Sequence, residues 1–253
     1  MTIITKNEAA NLAAALDSVA WADEIVVVDA DSTDETVAIA RRYTDRIVAR
    51  AWDGYSAQKN YAATLARNDW ILSLDADERV TPTLGEAILR QLAGEPSARG
   101  YRIPRVTRYL GRWIRSTDWY PDYQLRLYDR RAGTWKPRRV HESVHVEGPV
   151  VDLTGELEHH PYRDVAHHLD TINRYTSLAA EQLQSEGAQV GVVALALKPA
   201  FAFARNYALR GGFRDGLPGL LISTMNAYYV FLKLAKLWEL QATHRGNEAR
   251  RES

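Results

Sequence analysis

Two apolar runs in this chain end in the same three residues, IVVVDAD at Ile25–Asp31 and ILSLDAD at Ile71–Asp77. Runs of Ile, Val and Leu without polar alternation suit strands covered on both faces, the way parallel sheets are built. An acid that closes such a strand lies where the sheet ends and a ligand can reach it. The segments around these runs obey the same plan. Thr2–Thr5 (TIIT) is strand-like, and Glu8–Val19 carries Ala9, Leu12, Ala13 and Leu16 at helical spacing. Ser32 and Glu35 have capping-box spacing ahead of a helix running to Tyr43. RIVAR (46–50) predicts a third strand, and SAQKNYAATLAR (56–67) a helix opened by Ser56. Thr81 and Pro82 suit the N-cap and first turn of another helix. The alternation predicts an α/β fold of Rossmann-like type, a mainly parallel sheet with helices on both faces.

A chain of 253 residues can bury one sizeable core with an appendage. It has no cysteine, which excludes a disulfide framework and any thiolate metal site. No basic and apolar signal segment precedes Thr2–Thr5, so a cytosolic compartment is the expectation. Net charge is zero but unevenly placed. Residues 1–98 hold 9 Lys/Arg against 16 Asp/Glu, whereas residues 99–140 hold 12 against 3. Such a basic island suits substrate phosphates or anionic lipid headgroups, unless it is a solvated Arg-rich surface. Nucleic acid is not expected, because no binding motif accompanies the charge.

Residues 99–165 lose the strand–helix rhythm and read as an antiparallel extension with loops. From about Asp164 the chain turns helical, so two domains are expected, 1–165 and 166–253. Val190–Ala204 and Leu217–Leu232 are unusually apolar, each short for a span of about 20 apolar residues. Helices lying in one leaflet of an anionic membrane would fit, and so would helices packed on the α/β domain or on a second copy.

Asp29 and Asp75 close their strands and should face one crevice. The first pair leads into STDET, a loop whose carboxylates can accept hydrogen bonds from ligand N–H or hydroxyl groups. The second leads into ERVTP. Two carboxylates one residue apart on a short loop suit a hard divalent cation that keeps waters and bridges phosphates.

TIITKNEA, VVVDADSTDET, QKNYA and DWILSLDADE, in this order, resemble the nucleotide-sugar domain of glycosyltransferase family 2, the GT-A fold. YPDYQLRLY, VHESV and LRGGFRDGLPG extend the resemblance to the branch acting on lipopolysaccharide core and envelope glycans. The resemblance implies inverting transfer of a sugar, a hexose above all, from a nucleoside-diphosphate donor such as a UDP-sugar. The acceptor it implies is a glycan or lipid-linked acceptor, met peripherally on the inner face of the cytoplasmic membrane. It implies that Asp29 holds the base, with Thr5, Glu8 and Asp31 lining the nucleoside pocket and Lys59 near the base or phosphates. Asp75 then faces the ribose or sugar phosphate, Asp77 is the principal ligand of Mg²⁺ or Mn²⁺, and His141 joins the metal shell or diphosphate. Arg126 pairs with a phosphate. Asp122 is the expected catalytic base, although Pro121 precedes it where relatives carry Glu, and Glu142 is the alternative. His159-His160 reads as a loop pair, and Trp113, Trp119 and Tyr120 as a sugar platform or as core. A nucleotide-binding scaffold that kept the fold and lost turnover is the competing, non-enzymatic expectation.

Overall fold

The computed structural model describes residues 1–136 and 143–251, the side chains of 244–251 apart. The chain forms two compact units, residues 1–108 with 121–161 and residues 109–120 with 162–253. The excursion of 109–120 into the second unit has no signal in the sequence.

Along the chain β1 (Thr2–Thr5), α1 (Leu12–Asp17), β2 (Val26–Asp29), α2 (Thr36–Ala40), β3 (Ile47–Ala49), α3 (Tyr55–Leu65) and β4 (Trp70–Asp75) alternate as expected. They are followed by β5 (Glu78–Val80), α4 (Pro82–Leu92), β6 (Gly100–Tyr109), β7 (Arg112–Ile114) and β8 (Asp122–Asp129). The remainder is β9 (Gly133–Lys136), β10 (Ser143–Val146), β11 (Val150–Asp152), β12 (Leu157–His159), α5 (Val165–Ser185), α6 (Val192–Ala204) and α7 (Gly216–Arg251).

In the first unit the sheet runs β3-β2-β1-β4-β8-β6-β12-β5. β1, β2, β3 and β4 are parallel, while β8 is antiparallel to both β4 and β6. Strand order reverses between β1 and β4, and in open α/β sheets that switch point opens a crevice at the carboxyl ends of the strands. The register aligns Thr5 with Asp29, Ile4 with Asp75 and Asp29 with Ala49 along that end. Beneath it, Ile3, Val27 and Leu74 pack with Leu12 and Leu16 of α1 and Leu84 and Ile88 of α4 in one buried cluster. Each such side chain contributes about 1.5–3 kcal/mol by leaving water.

The helix starts divide. Thr81 caps α4 by accepting the Leu84 N–H at 3.3 Å, with Pro82 in the first turn, as the sequence predicts. Ser32 does not cap α2, which starts at Thr36, because its hydroxyl donates to Asp29 instead. Ser56 does not cap α3 either; its hydroxyl donates to the Lys136 carbonyl at 2.9 Å.

The second unit is built on α5, α6 and α7. Asp164 caps α5 through the His167 N–H at 2.7 Å. The Lys236 ammonium of α7 donates to the Asn173 carbonyl and to Asn173 Oδ1, Thr176 Oγ1 and Ser177 Oγ of α5, which ties the two helices together. Gly219 is required where α7 begins, since a Cβ there would lie 1.9 Å from the Gly212 carbonyl oxygen. Trp119 is partly buried and packs against the aromatic cluster of this unit. It stacks on Tyr162 and meets Tyr109 edge to face.

His168, buried in that aromatic cluster, shares a 3.0 Å hydrogen bond with the Tyr109 hydroxyl. Burial first, and then the charge of His167, push its imidazole down to about 4 from 6.5. Between those values the unfolded chain binds the extra proton, so this contribution to stability is full above pH 6.5 and is lost as pH falls toward 4. Urea midpoints at about pH 7.5 and about pH 5 are expected to differ less in His168→Gln than in the wild type.

Candidate active site

The loops after β1 and β2 are zipped together. Asn7 and Asp31 both take the left-handed conformation at φ 56°, which Asn and Asp tolerate better than other residues with a side chain. The Asn7 N–H donates to Ser32 Oγ at 2.9 Å, Thr33 N–H to Asn7 Oδ1 at 2.8 Å, and Glu8 N–H to Thr36 Oγ1 at 2.7 Å. Asp29 points into this joint. Its Oδ1 accepts from Thr5 Oγ1 at 3.0 Å and Ser32 Oγ at 2.5 Å, and its Oδ2 accepts the Ser32 N–H at 2.8 Å. A carboxylate has about four acceptor positions, so three are filled and Oδ2 keeps one. Asp31 is exposed beside it. The Glu8 carboxyl is raised by burial, against the Asn11 hydrogen bond, and by the negative charge of Asp77, Asp34 and Asp75. Glu8 therefore feels the second acid pair and Asp34.

The QKN triplet of α3 pins three different elements. Gln58 donates to the Arg50 and Ala51 carbonyls at 3.1 and 3.3 Å, holding the loop after β3. Asn60 exchanges two 2.9 Å hydrogen bonds with the Trp135 backbone of β9. Lys59 between them is buried, 2.8 Å from Asp75 Oδ1 and 4.4 Å from the centre of the Trp135 ring.

Asp75 is saturated with positive charge. Arg126 of β8 takes its Oδ2, and the same guanidinium donates to Glu78 Oε1 at 2.6 Å. Burial raises the Asp75 carboxyl, but Arg126 and then Lys59 outweigh it and hold the group far below the usual carboxylate range. Glu78, fully buried, also accepts the Asp75 N–H at 3.1 Å and an Arg105 N–H at 2.9 Å. Arg105 reaches on to Asp122 Oδ2 at 2.6 and 2.9 Å, and Gln124 donates to Asp122 Oδ1 at 2.6 Å.

Asp77 stands apart from this cluster. Its Oδ2 lies 3.3 Å from His159 Nε2, and its carbonyl accepts the His160 N–H at 2.8 Å. The opposite ring nitrogen of His159 meets Thr107 Oγ1 at 3.2 Å, which fixes the imidazole. Burial raises the Asp77 carboxyl and His159 lowers it more, so it is ionised. Among the described residues, no three acid or histidine side chains form a ready metal cage.

Of the expected residues, Lys59, Asp75 and Arg126 meet in one ion cluster, Asp122 joins it through Arg105, and Thr5 and Asp29 are joined by a hydrogen bond. His141 and Glu142 lie outside the described residues. Reading His159-His160 as a loop pair is corrected: His159 ends β12, paired opposite Glu78 of β5, and that register carries it to Asp77. The basic island is largely neutralised inside its own unit. Arg99 pairs with Asp129, Arg102 with Asp152, Arg105 with Glu78 and Asp122, and Arg131 with Asp129 and Asp69.

Residues 2–144 match the model of glycosyl transferase family 2. The chain belongs to that family. It is 32% identical over 247 residues to the lipopolysaccharide core biosynthesis glycosyltransferase LpsC of Rhizobium meliloti (strain 1021), across 95% of this chain and 92% of that protein. It is also 32% identical to an uncharacterized glycosyltransferase of Rickettsia typhi, across 96% of this chain and 87% of that one. Among solved structures, the mannosyltransferase PcManGT of Pyrobaculum calidifontis, in complex with GDP-Man and Mn²⁺, shares the fold with a TM-score of 0.52 at 15% identity. That match covers 94% of this chain and 86% of the other.

Replacing Arg126 by Met removes the buried cation between two acids, leaving Asp75 to Lys59 and the fully buried Glu78 to Arg105. Urea unfolding should show a loss of roughly 3–5 kcal/mol, the cost of breaking a buried pair from one side. Adding Glu78→Gln should recover part of it.

Proposed function

We propose that the protein is an inverting, metal-dependent hexosyltransferase. It moves a sugar from a nucleoside-diphosphate donor, a UDP-sugar in the first place, to a lipid-linked or lipopolysaccharide-type acceptor. The observation that carries this reading is the cluster at the end of β4, where Lys59 and Arg126 hold Asp75 while Asp77 stands beside His159. Asp29 offers the base its one open acceptor position, flanked by Thr5, Glu8 and Asp31. Lys59 and Arg126 face the diphosphate. Arg126 Nε is buried without a hydrogen-bond partner among the described residues, a donor suited to a phosphate oxygen.

The donor set fits a divalent ion: an ionised carboxylate and a fixed imidazole suit Mg²⁺ or Mn²⁺ with diphosphate oxygens and water filling the remaining positions. Asp77 and His159 would hold it, with Asp75 behind them and His141 as a further ligand. When bound, the metal supplies Lewis-acid stabilisation of the leaving diphosphate. Asp122 takes the acceptor hydroxyl proton as the acceptor oxygen bonds to the anomeric carbon. The bond from that carbon to the diphosphate oxygen breaks, and the electron pair leaves with the diphosphate. Glu142 is the alternative base. The LpsC relative, by its name, supports the acceptor class.

The helical unit supports a place on the inner face of the cytoplasmic membrane. No helix among the described residues is long and apolar enough to cross a bilayer. Yet Val193, Leu197 and Phe201 are 71%, 63% and 63% exposed at four-residue spacing on α6. Leu217, Leu220, Tyr228, Phe231 and Trp238 form an exposed stripe on α7. Residues 190–238 hold six Lys/Arg and one acid, Asp215, which is buried. Of these, Arg205 and Arg210 pair with Asp118 and Lys236 bonds α5, so the exposed apolar face is the feature that suits a bilayer surface.

Two experiments test the reading. In a thermal-shift panel of UDP, GDP, ADP and CMP, one nucleotide with Mn²⁺ should stabilise the wild type, by about 2.7 kcal/mol at a hundredfold excess over Kd. Asp29→Ala and Asp77→Asn should lose the shift, and Asp77→Asn should lose turnover with its fold intact. A flat panel on folded protein would favour the scaffold without turnover. Separately, the protein should sediment with phosphatidylglycerol vesicles, be released by salt, and fail to bind as Leu197→Glu/Phe201→Glu. Wild type that ignores these vesicles would sink the membrane part alone.

A further inference from the structure

The donor site continues into a chain of alternating charges that the chemistry above leaves without a task. Asp75 binds Arg126, Arg126 binds Glu78, Glu78 binds Arg105, and Arg105 binds Asp122. The members come from β4, β5, β6 and β8, so the chain spans the sheet from the donor-side acid to the expected base. Its middle is closed to water: Arg126 and Glu78 are buried, and the Arg105 side chain is 18% exposed.

An exposed Arg–Asp pair holds its partners loosely and is worth little. Arg105 is different, because Glu78 anchors one arm of its guanidinium. Glu78 cannot yield, since one oxygen takes both arginines and the other takes the Asp75 N–H. The other two nitrogens of the Arg105 guanidinium, Nε and Nη2, therefore meet Asp122 Oδ2 from a fixed direction. β6 and β8 pair Arg105 directly opposite Asp122, which sets the distance. Asp122 Oδ1 has one donor, from Gln124, and keeps room for a proton.

We propose that Arg105 is a positioning residue for the transfer step. Oriented by Glu78, it fixes the Asp122 carboxylate so that Oδ1 meets the acceptor hydroxyl. Through Glu78 and Arg126 it couples that orientation to the donor-side Asp75. The inference rests on Asp122 being the base.

The test uses the full chain, with initial rates from UDP-glucose, Mn²⁺ and purified lipopolysaccharide core, and UDP binding by calorimetry. Arg105→Gln should lower kcat about 100-fold, as a displaced catalytic group does, with donor KM and UDP affinity changed less than about twofold. Arg105→Lys should recover part of kcat, because an ammonium reaches Asp122 but cannot reproduce the fork. Glu78→Gln, which leaves both arginines in place, should lower kcat about 10-fold with the same unchanged KM. An Arg105→Gln kcat within about twofold of wild type overturns the inference, as does a loss of UDP affinity that accounts for the whole defect. So does an Arg105→Lys enzyme no better than Arg105→Gln. If Asp122→Asn keeps wild-type kcat, the base assignment falls and this inference with it. If Asp122→Asn is inactive while Arg105→Gln is normal, only the inference falls.

Discussion

The Arg126 guanidinium, buried between Asp75 and Glu78, is the interaction on which the carboxyl end of the sheet depends. Taking three charges out of water is costly unless each finds a partner of opposite sign at hydrogen-bonding distance. The structure meets that condition with parts of four strands and one helix. Lys59 completes the positive side and lies over the Trp135 indole, so that α3 and β9 close over the cluster. A site assembled this way holds its charges in fixed positions before any ligand arrives, which is what stabilising a developing charge requires.

A second constraint acts where β1 and β2 end. Asn7 and Asp31 bend their loops through left-handed conformations, and hydrogen bonds from the Asn7 N–H to Ser32 Oγ, the Thr33 N–H to Asn7 Oδ1 and the Glu8 N–H to Thr36 Oγ1 lock the bends. Asp29 serves that lock with three of its acceptor positions. A carboxylate so held offers its open position in one direction, with little freedom left to lose on binding.

The helical unit follows different physics. Its polar groups turn inward, with Lys236 on α5 and Asp215 accepting from Ser116, the Arg115 N–H and Arg112. Ile222, Leu234 and Leu237 of α7 are buried, while Val193, Leu197 and Phe201 of α6 and Leu217, Phe231 and Trp238 of α7 are exposed.

The parallel sheet and the two acid pairs were legible in the sequence because each is a local pattern: an apolar run shows a covered strand, and the acid after it marks the strand's end. Thr81 before Pro82 was legible for the same reason, since a cap acts within three residues. Where a local signal met a distant partner, the partner won. Ser32 and Ser56 have the spacing of caps, but Asp29 and the Lys136 carbonyl take their hydroxyls. The basic island looked free because its acids, Glu78, Asp129 and Asp152 among them, are scattered through the chain. His159 and Arg105 carry no motif, and Glu78, the last residue of DWILSLDADE, has no role that the motif assigns. They enter the site only because β12, β5 and β6 pair in one register, and a slip of one residue would turn their side chains to the other face. Local periodicity thus settled which elements form and where the acids end them, while strand pairing across the sheet decided which charges those acids would meet.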